Sequence, residues 1–183
     1  MKKKILFLII IGVIAIIVAT ICIVKFINSK KSEKSTEIIP LEELTEEQER
    51  QTMVSLYFIN KDTNTLMPEA RRIDSKKLLE NPYKVLIELL IEGPIGEHSE
   101  KSIPEGTKFN NATLNNNVLE LDLSKEFIEN QGEDREKALL GIESIANTLT
   151  ELNEVSAVKI LIDGESNKKI EELDINLEEI FIR

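Results

Sequence analysis

From Met53 onward the chain switches between two hydrophobic periods. Val54, Leu56 and Phe58 interleave with Ser55, Tyr57 and Ile59, the period-two pattern of a strand buried mainly on one face. Asp62 to Asn64 breaks the pattern. Leu66 to Ile73 contains Pro68 and reads as an extended edge or loop segment, because proline offers no N–H to a central ladder. Asn81 as cap and Pro82 at the first helical position then open a helix with Val85, Leu86, Leu89 and Leu90 apolar, and Gly93-Pro94 ends it. Two strands are predicted next, Thr107 to Leu114 and Val118 to Ser124. They are joined across Asn115, Asn116 and Asn117, residues that tolerate left-handed backbone, and Leu119, Leu121 and Leu123 should face the core. A second helix is predicted over about Glu133 to Leu152, with an apolar stripe of Leu139, Ile142, Ile145, Ala146, Leu149 and Leu152. Gly141 within it costs about 1 kcal/mol of helix propensity, which a closely packed neighbour would explain. A strand from Val155 to Ile162, ended by Asp163-Gly164, and a weaker segment around Leu173 to Ile182 complete the pattern. Strands and helices in this order predict an α+β fold, a mixed β-sheet with two main helices packed on one face.

The N-terminal stretch follows neither period. Lys2, Lys3 and Lys4 precede an unbroken apolar run from Ile5 to Val24, closed by Lys25. Twenty residues at about 1.5 Å each span about 30 Å of hydrocarbon, longer than the stretch of a cleaved signal peptide. Residues 1–25 are therefore expected to be a cytoplasmic leader and transmembrane signal anchor. The short basic leader favours a single-pass topology in the cell membrane with the C-terminal domain extracytoplasmic. Cys22 is preceded by Ile21, which argues for a thiol within the span rather than a lipid-modified cysteine. Residues 26–50, rich in Ser, Lys and Glu and interrupted by Pro40, are expected to form a flexible tether, leaving 51–183 as the folded domain.

Composition narrows the chemistry. One cysteine excludes an intramolecular disulfide and a Cys-based zinc site, and one histidine removes any His-pair metal motif. Residues 1–49 hold seven basic and seven acidic side chains, so the net charge of -10 falls on residues 50–183. Such a surface repels phosphate backbones, and an aromatic content of 4 % leaves few stacking platforms, so no nucleic-acid partner is expected. Among only seven glycines there is no phosphate-cradling loop, and no cofactor is implied.

The side chains that invite a functional reading have structural alternatives. Glu69 and Arg71 lie two apart, so on an extended segment they share a face, where they form an internal salt bridge or meet a partner protein. With Pro68 they are the candidate partner-contact residues. Ser124 lacks a nucleophile elbow and reads as a turn or cap after a strand. His98 sits among Glu97, Ser99 and Glu100 as a surface residue. Thr148 and Thr150 fall beside the apolar stripe, where hydroxyls bond back to the preceding turn. Asp163-Gly164 lacks the spacing of a calcium loop and reads as a turn. No residue is assigned a catalytic or metal-binding role.

The domain resembles a known family at seven places. These are Leu56-Tyr57-Phe58; Leu66-Met67-Pro68-Glu69 with Arg71; Leu89-Leu90 leading to Gly93-Pro94; Ile103-Pro104 and Gly106-Thr107; Asp122-Leu123-Ser124 with Phe127; Asn147-Thr148-Leu149-Thr150; and Val158 to Ile162 closed by Asp163-Gly164. In this order over about 110 residues they are similar to the GerMN domain of sporulation and spore germination proteins. The resemblance implies an extracytoplasmic domain related to the ring-building modules of secretion and sporulation channels. It also implies a non-enzymatic role, building or stabilising an envelope or sporulation protein complex, notably the channel between mother cell and forespore. The chain differs from a two-domain lipoprotein member in showing one domain behind a transmembrane stretch. An alternative is a module that binds peptidoglycan or another cell-wall ligand. The scarcity of aromatics outside core-like positions, with Tyr57 and Tyr83 the only tyrosines, favours the scaffold.

Overall fold

The computed structural model of the chain describes residues 50–182; the expected anchor over 1–25 and the tether up to residue 49 lie outside the described residues. Among the described residues, no helix is long and apolar enough to cross a membrane. The fold is α+β, as the alternation of periods predicts, with its strands divided among a three-, a four- and a two-stranded sheet.

Strands β1 (Gln51–Asn60) and β2 (Thr65–Asp74) form a ten-residue antiparallel hairpin, and the short β3 (Ser99–Glu100) pairs with the end of β1, giving the order β2-β1-β3. Leu56, Tyr57, Phe58 and Ile59 are all buried, so β1 is covered on both faces where the alternation predicted one. The segment with Pro68 is a full edge strand. Asp74 caps a six-residue helix α1 (Ser75–Glu80), which the apolar period does not reveal because it has no buried residue.

Helix α2 (Pro82–Glu92) is built as its punctuation predicts. The Asn81 side chain accepts from Lys84 N–H, Pro82 begins the first turn, and Gly93 ends the helix at φ 102°, a left-handed value that favours glycine. Leu86, Ile87 and Leu90 point into the core.

Strands β4 (Phe109–Asn115) and β5 (Val118–Leu123) meet through Asn116 and Asn117, at φ 50° and 64°, the paired positive values of a two-residue hairpin turn. Leu119, Leu121 and Leu123 are buried as expected. A short helix α3 (Glu126–Glu129) follows, and then α4 (Arg135–Leu149), whose N-cap Asp134 accepts from the N–H groups of Glu136 and Lys137. Helix α4 returns the chain to β6 (Ala157–Ile162), parallel to β5. The tail adds β7 (Lys169–Ile170) and β8 (Ile175–Asn176) as a small ladder and β9 (Ile180–Phe181) beside β6, completing the order β4-β5-β6-β9. One core of buried residues connects β1, α2, β5, α4 and β6.

Candidate functional site

The three residues read as a partner-contact candidate all lie on β2, the outer strand of its sheet. Pro68 stands opposite Tyr57. The Tyr57 N–H donates to Thr148 Oγ1 at 3.1 Å and its carbonyl accepts from Ser144 Oγ, both on α4, so the Tyr57 backbone faces away from β2. In an antiparallel ladder the opposed residue then also turns its backbone outward. Pro68 therefore lacks only an N–H that would have been unpaired at the edge, and a ten-residue strand tolerates it. Pro68, Ala70 and Arg72 share this register and are exposed; among the described residues no strand pairs beyond them.

Glu69 and Arg71 face the other way. Arg71 Nε lies 2.6 Å from Glu69 Oε1, with the two side chains only 10 % and 12 % exposed, so the internal salt bridge is formed. Arg71 Nη2 also donates to the Gly93 carbonyl at 2.7 Å, and its guanidinium stands 5.9 Å from the centre of the Phe58 ring. Glu69 accepts from Ile95 N–H and Gly96 N–H, the latter at 2.9 Å. Burial pushes the Glu69 carboxyl up, but the bonds from Gly96 and Ile95 and the charge and hydrogen bond of Arg71 outweigh it and hold it below the ordinary carboxylate value. The pair is a clamp that fixes the chain leaving α2 against β2, and it holds Ile95, 74 % exposed, at the surface. The i, i+2 spacing reveals the pair in the sequence; its partners at Gly93, Ile95 and Gly96 come together only through the packing of α2.

A second polar cluster contains Thr148, which the sequence singles out, with two serines that it does not. The hydroxyls of Ser144 and Thr148 on α4 serve the buried backbone groups of Tyr57 that face away from β2, in place of a neighbouring strand. Since Ser144 donates to Tyr57, the 2.7 Å contact with Ser102 has Ser102 as donor. All three hydroxyl side chains are buried. Thr148 thus bonds across to β1, whereas Thr150 bonds back to the Ala146 carbonyl as its helix position suggests. Gly141 is explained here too: a Cβ would lie 2.4 Å from the Ser102 carbonyl oxygen.

The remaining candidates are structural. Ser124 Oγ accepts from Lys108 N–H and joins the ends of β4 and β5. His98 is exposed, 3.4 Å from Asp62. Asp163 and Gly164 form a turn, at φ 48° and 80°, closed by Gly164 N–H onto Asp122. Among the described residues no group of three or more His, Cys, Asp or Glu is placed to hold a metal ion.

A family model described as Germane, sporulation and spore germination, matches residues 55–168, which include the second half of β1, all of β2 through β6, and the clamp. The chain belongs to the Germane family. No curated protein matches it. Among solved structures, the tandem GerMN domains of the sporulation protein GerM from Bacillus subtilis are 24 % identical at a TM-score of 0.55, over 66 % of this chain and 42 % of that one. The first GerMN domain of the same protein is 23 % identical at a TM-score of 0.54, over 65 % of this chain and 88 % of that one. At this identity the likeness establishes the fold, and the chain spans less than half of the tandem structure. A Germane domain is therefore the frame for the edge strand, the clamp and the hydroxyl cluster.

Proposed function

We propose that this Germane protein is a non-enzymatic, membrane-anchored scaffold of the cell envelope, acting in sporulation or spore germination. It holds its domain outside the membrane and docks another envelope protein through the outer edge of β2. The observation that supports this reading is the open register of Pro68, Ala70 and Arg72 on a strand whose inner side the Glu69–Arg71 clamp makes rigid. A rigid edge loses little entropy when a partner segment lies along it. The polar side chains of Ser124, Thr148 and the Glu69–Arg71 pair are each engaged in bonds that hold the fold.

The test is the titre of heat-resistant spores from a deletion strain of the host, with vegetative growth alongside and complementation by the full chain. A large loss of spores or of germination with normal growth, and crosslinks to an envelope protein from a photoreactive residue at Ala70, are expected. Normal sporulation and germination would sink the reading. In that case sedimentation with purified peptidoglycan tests the wall-binding alternative.

A further inference from the structure

The outer edge of β2 borders a groove. Leu86 and Leu90 turn one stripe of α2 into the core, and the neighbouring stripe of Val85, Glu88, Leu89 and Glu92 stands over the end of β2. Between strand and helix lies a cavity of about 370 Å³, lined from the other side by Arg72, Ile73, Asp74 and Lys77. Ile73, Val85 and Leu89 are half-buried and form its apolar lining. Both ends are stopped, by α1 directly after Asp74 and by Gly93, whose carbonyl Arg71 holds. The cavity therefore has room for one side chain arriving beside Ile73.

Its rim carries both signs, in different places. Lys77 stands at the α1 end, where Asp74 is occupied as the cap of that helix, accepting from Lys76 N–H. Arg72 alternates with Ile73 and so is rooted on the opposite face of the strand. Glu92 stands at the other end, next to Gly93 and thus beside Arg71, whose own charge is spent on Glu69. Glu88, between them, lies 3.8 Å from Lys84 with both side chains about half exposed, a loose pair.

An extended segment laid antiparallel along this edge exchanges backbone bonds with Ala70 and Arg72, which share the outward register of Pro68. Its residues opposite Arg71 and Ile73 then send their side chains to the α2 side. The one opposite Ile73 enters the cavity, where an apolar side chain matches Ile73, Val85 and Leu89, and the one opposite Arg71 meets Glu92. We infer that the groove between β2 and α2 binds an extended segment of a partner protein as an added strand, and that this segment carries a leucine-sized apolar residue followed two positions later by lysine or arginine. The inference names the partner chemistry of the docking edge and rests on the docking role proposed for it. The chain does not supply the segment from its own tether: in residues 26–49 no apolar side chain is followed two positions later by Lys or Arg. A second copy is disfavoured by the net charge of -10 that each domain brings.

The test titrates the full chain, in detergent micelles, into a fluorescein-labelled peptide, Ser-Thr-Val-Thr-Leu-Thr-Lys-Thr-Val, and reads fluorescence anisotropy. Saturable binding is expected, weakened about tenfold when the leucine is replaced by alanine. Replacing the lysine by glutamate should weaken it about threefold, and Glu92→Lys should reverse that preference. Ala70→Pro removes one outward N–H and leaves the β1 ladder whole, because the Ala70 backbone faces away from β1 as that of Pro68 does. It is expected to weaken binding about fivefold. Should that variant fail to fold, N-methylation of the threonine between leucine and lysine removes the matching N–H from the peptide and should have the same effect, with N-methylation of the leucine, whose N–H points away from β2, as the control. Absence of saturable binding, or binding indifferent to the leucine or to the loss of these edge bonds, overturns the inference. Self-association of the chain that excludes the peptide and is lost in Ala70→Pro assigns the edge to a second copy and overturns it as well. The spore titre reads the scaffold separately: spore loss without peptide binding removes the groove and leaves the scaffold, and peptide binding with normal sporulation does the reverse.

Discussion

Glu69 spends both carboxylate oxygens on the domain, on Arg71 within β2 and on the N–H groups of Ile95 and Gly96 beyond α2. Its folded carboxyl lies below the ordinary value of 4.5 although burial pushes the other way. A carboxyl lowered by folding contributes stability above its unfolded value and loses that contribution as pH falls through the folded one. Glu69→Gln keeps the shape and removes the charge. It is expected to cost about 1.5–3 kcal/mol near neutrality, the range for hydrogen bonds to a charged group. The gap between variant and parent should narrow well below pH 4.5, where the parent protonates as well. Urea unfolding of the two proteins at both acidities measures this, and a gap that is the same at each would show that the charge contributes nothing.

At the scale of elements, the contact of α4 with β1 sets the shape of the fold around the clamp. Gly141 lets the Ser102 backbone approach α4, Ser102 bonds Ser144, and Ser144 with Thr148 serves the Tyr57 backbone. Gly141→Ala would by propensity gain about 1 kcal/mol in a helix. A Cβ 2.4 Å from a backbone oxygen cannot be housed by rotating a side chain, and overpacking of this kind costs about 1–3 kcal/mol. The variant is therefore expected to be less stable in thermal unfolding; a raised midpoint would mean that the helix and the Ser102 segment separate freely. The sequence carries one half of this contact. A glycine inside a helical stripe announces a close neighbour, but the identity of Ser102, about 40 positions upstream, depends on tertiary packing. The same division runs through the fold. Asn81-Pro82, Gly93 and the Asn116-Asn117 turn are legible because a cap or a positive φ is a local requirement. The full length of β2 is not, because Pro68 signals a break until its backbone is known to face outward. Helix α1 is invisible to any apolar period, and the division of the strands into separate sheets depends on pairings that no local pattern encodes. In the candidate site the Glu69–Arg71 pair is visible by spacing, whereas the loop it clamps is not.

For the whole molecule, the separation into sheets raises the question of how many units fold. The β2-β1-β3 and β4-β5-β6-β9 sheets share no ladder, yet Leu56 and Phe58 of the first belong to the same buried cluster as Leu121 of β5 and Ile160 of β6, with Leu86, Leu90, Ile142 and Ile145 of the two helices. A core continuous in this way makes each sheet depend on the other, and small domains with one core unfold in a single step. Hydrogen exchange on the full chain should accordingly give the slowest amides of β1, β5 and β6 the same opening free energy. Phe58→Leu, at a fully buried position of β1, leaves a cavity in that shared core and should lower all three together, although β5 and β6 contain no substituted residue. If β1 exchanged faster while β5 and β6 kept their protection, the hairpin would be a separate unit packed on an independent sheet. The edge of β2 would then be presented by a movable element, and the rigidity on which its proposed docking role depends would be lost.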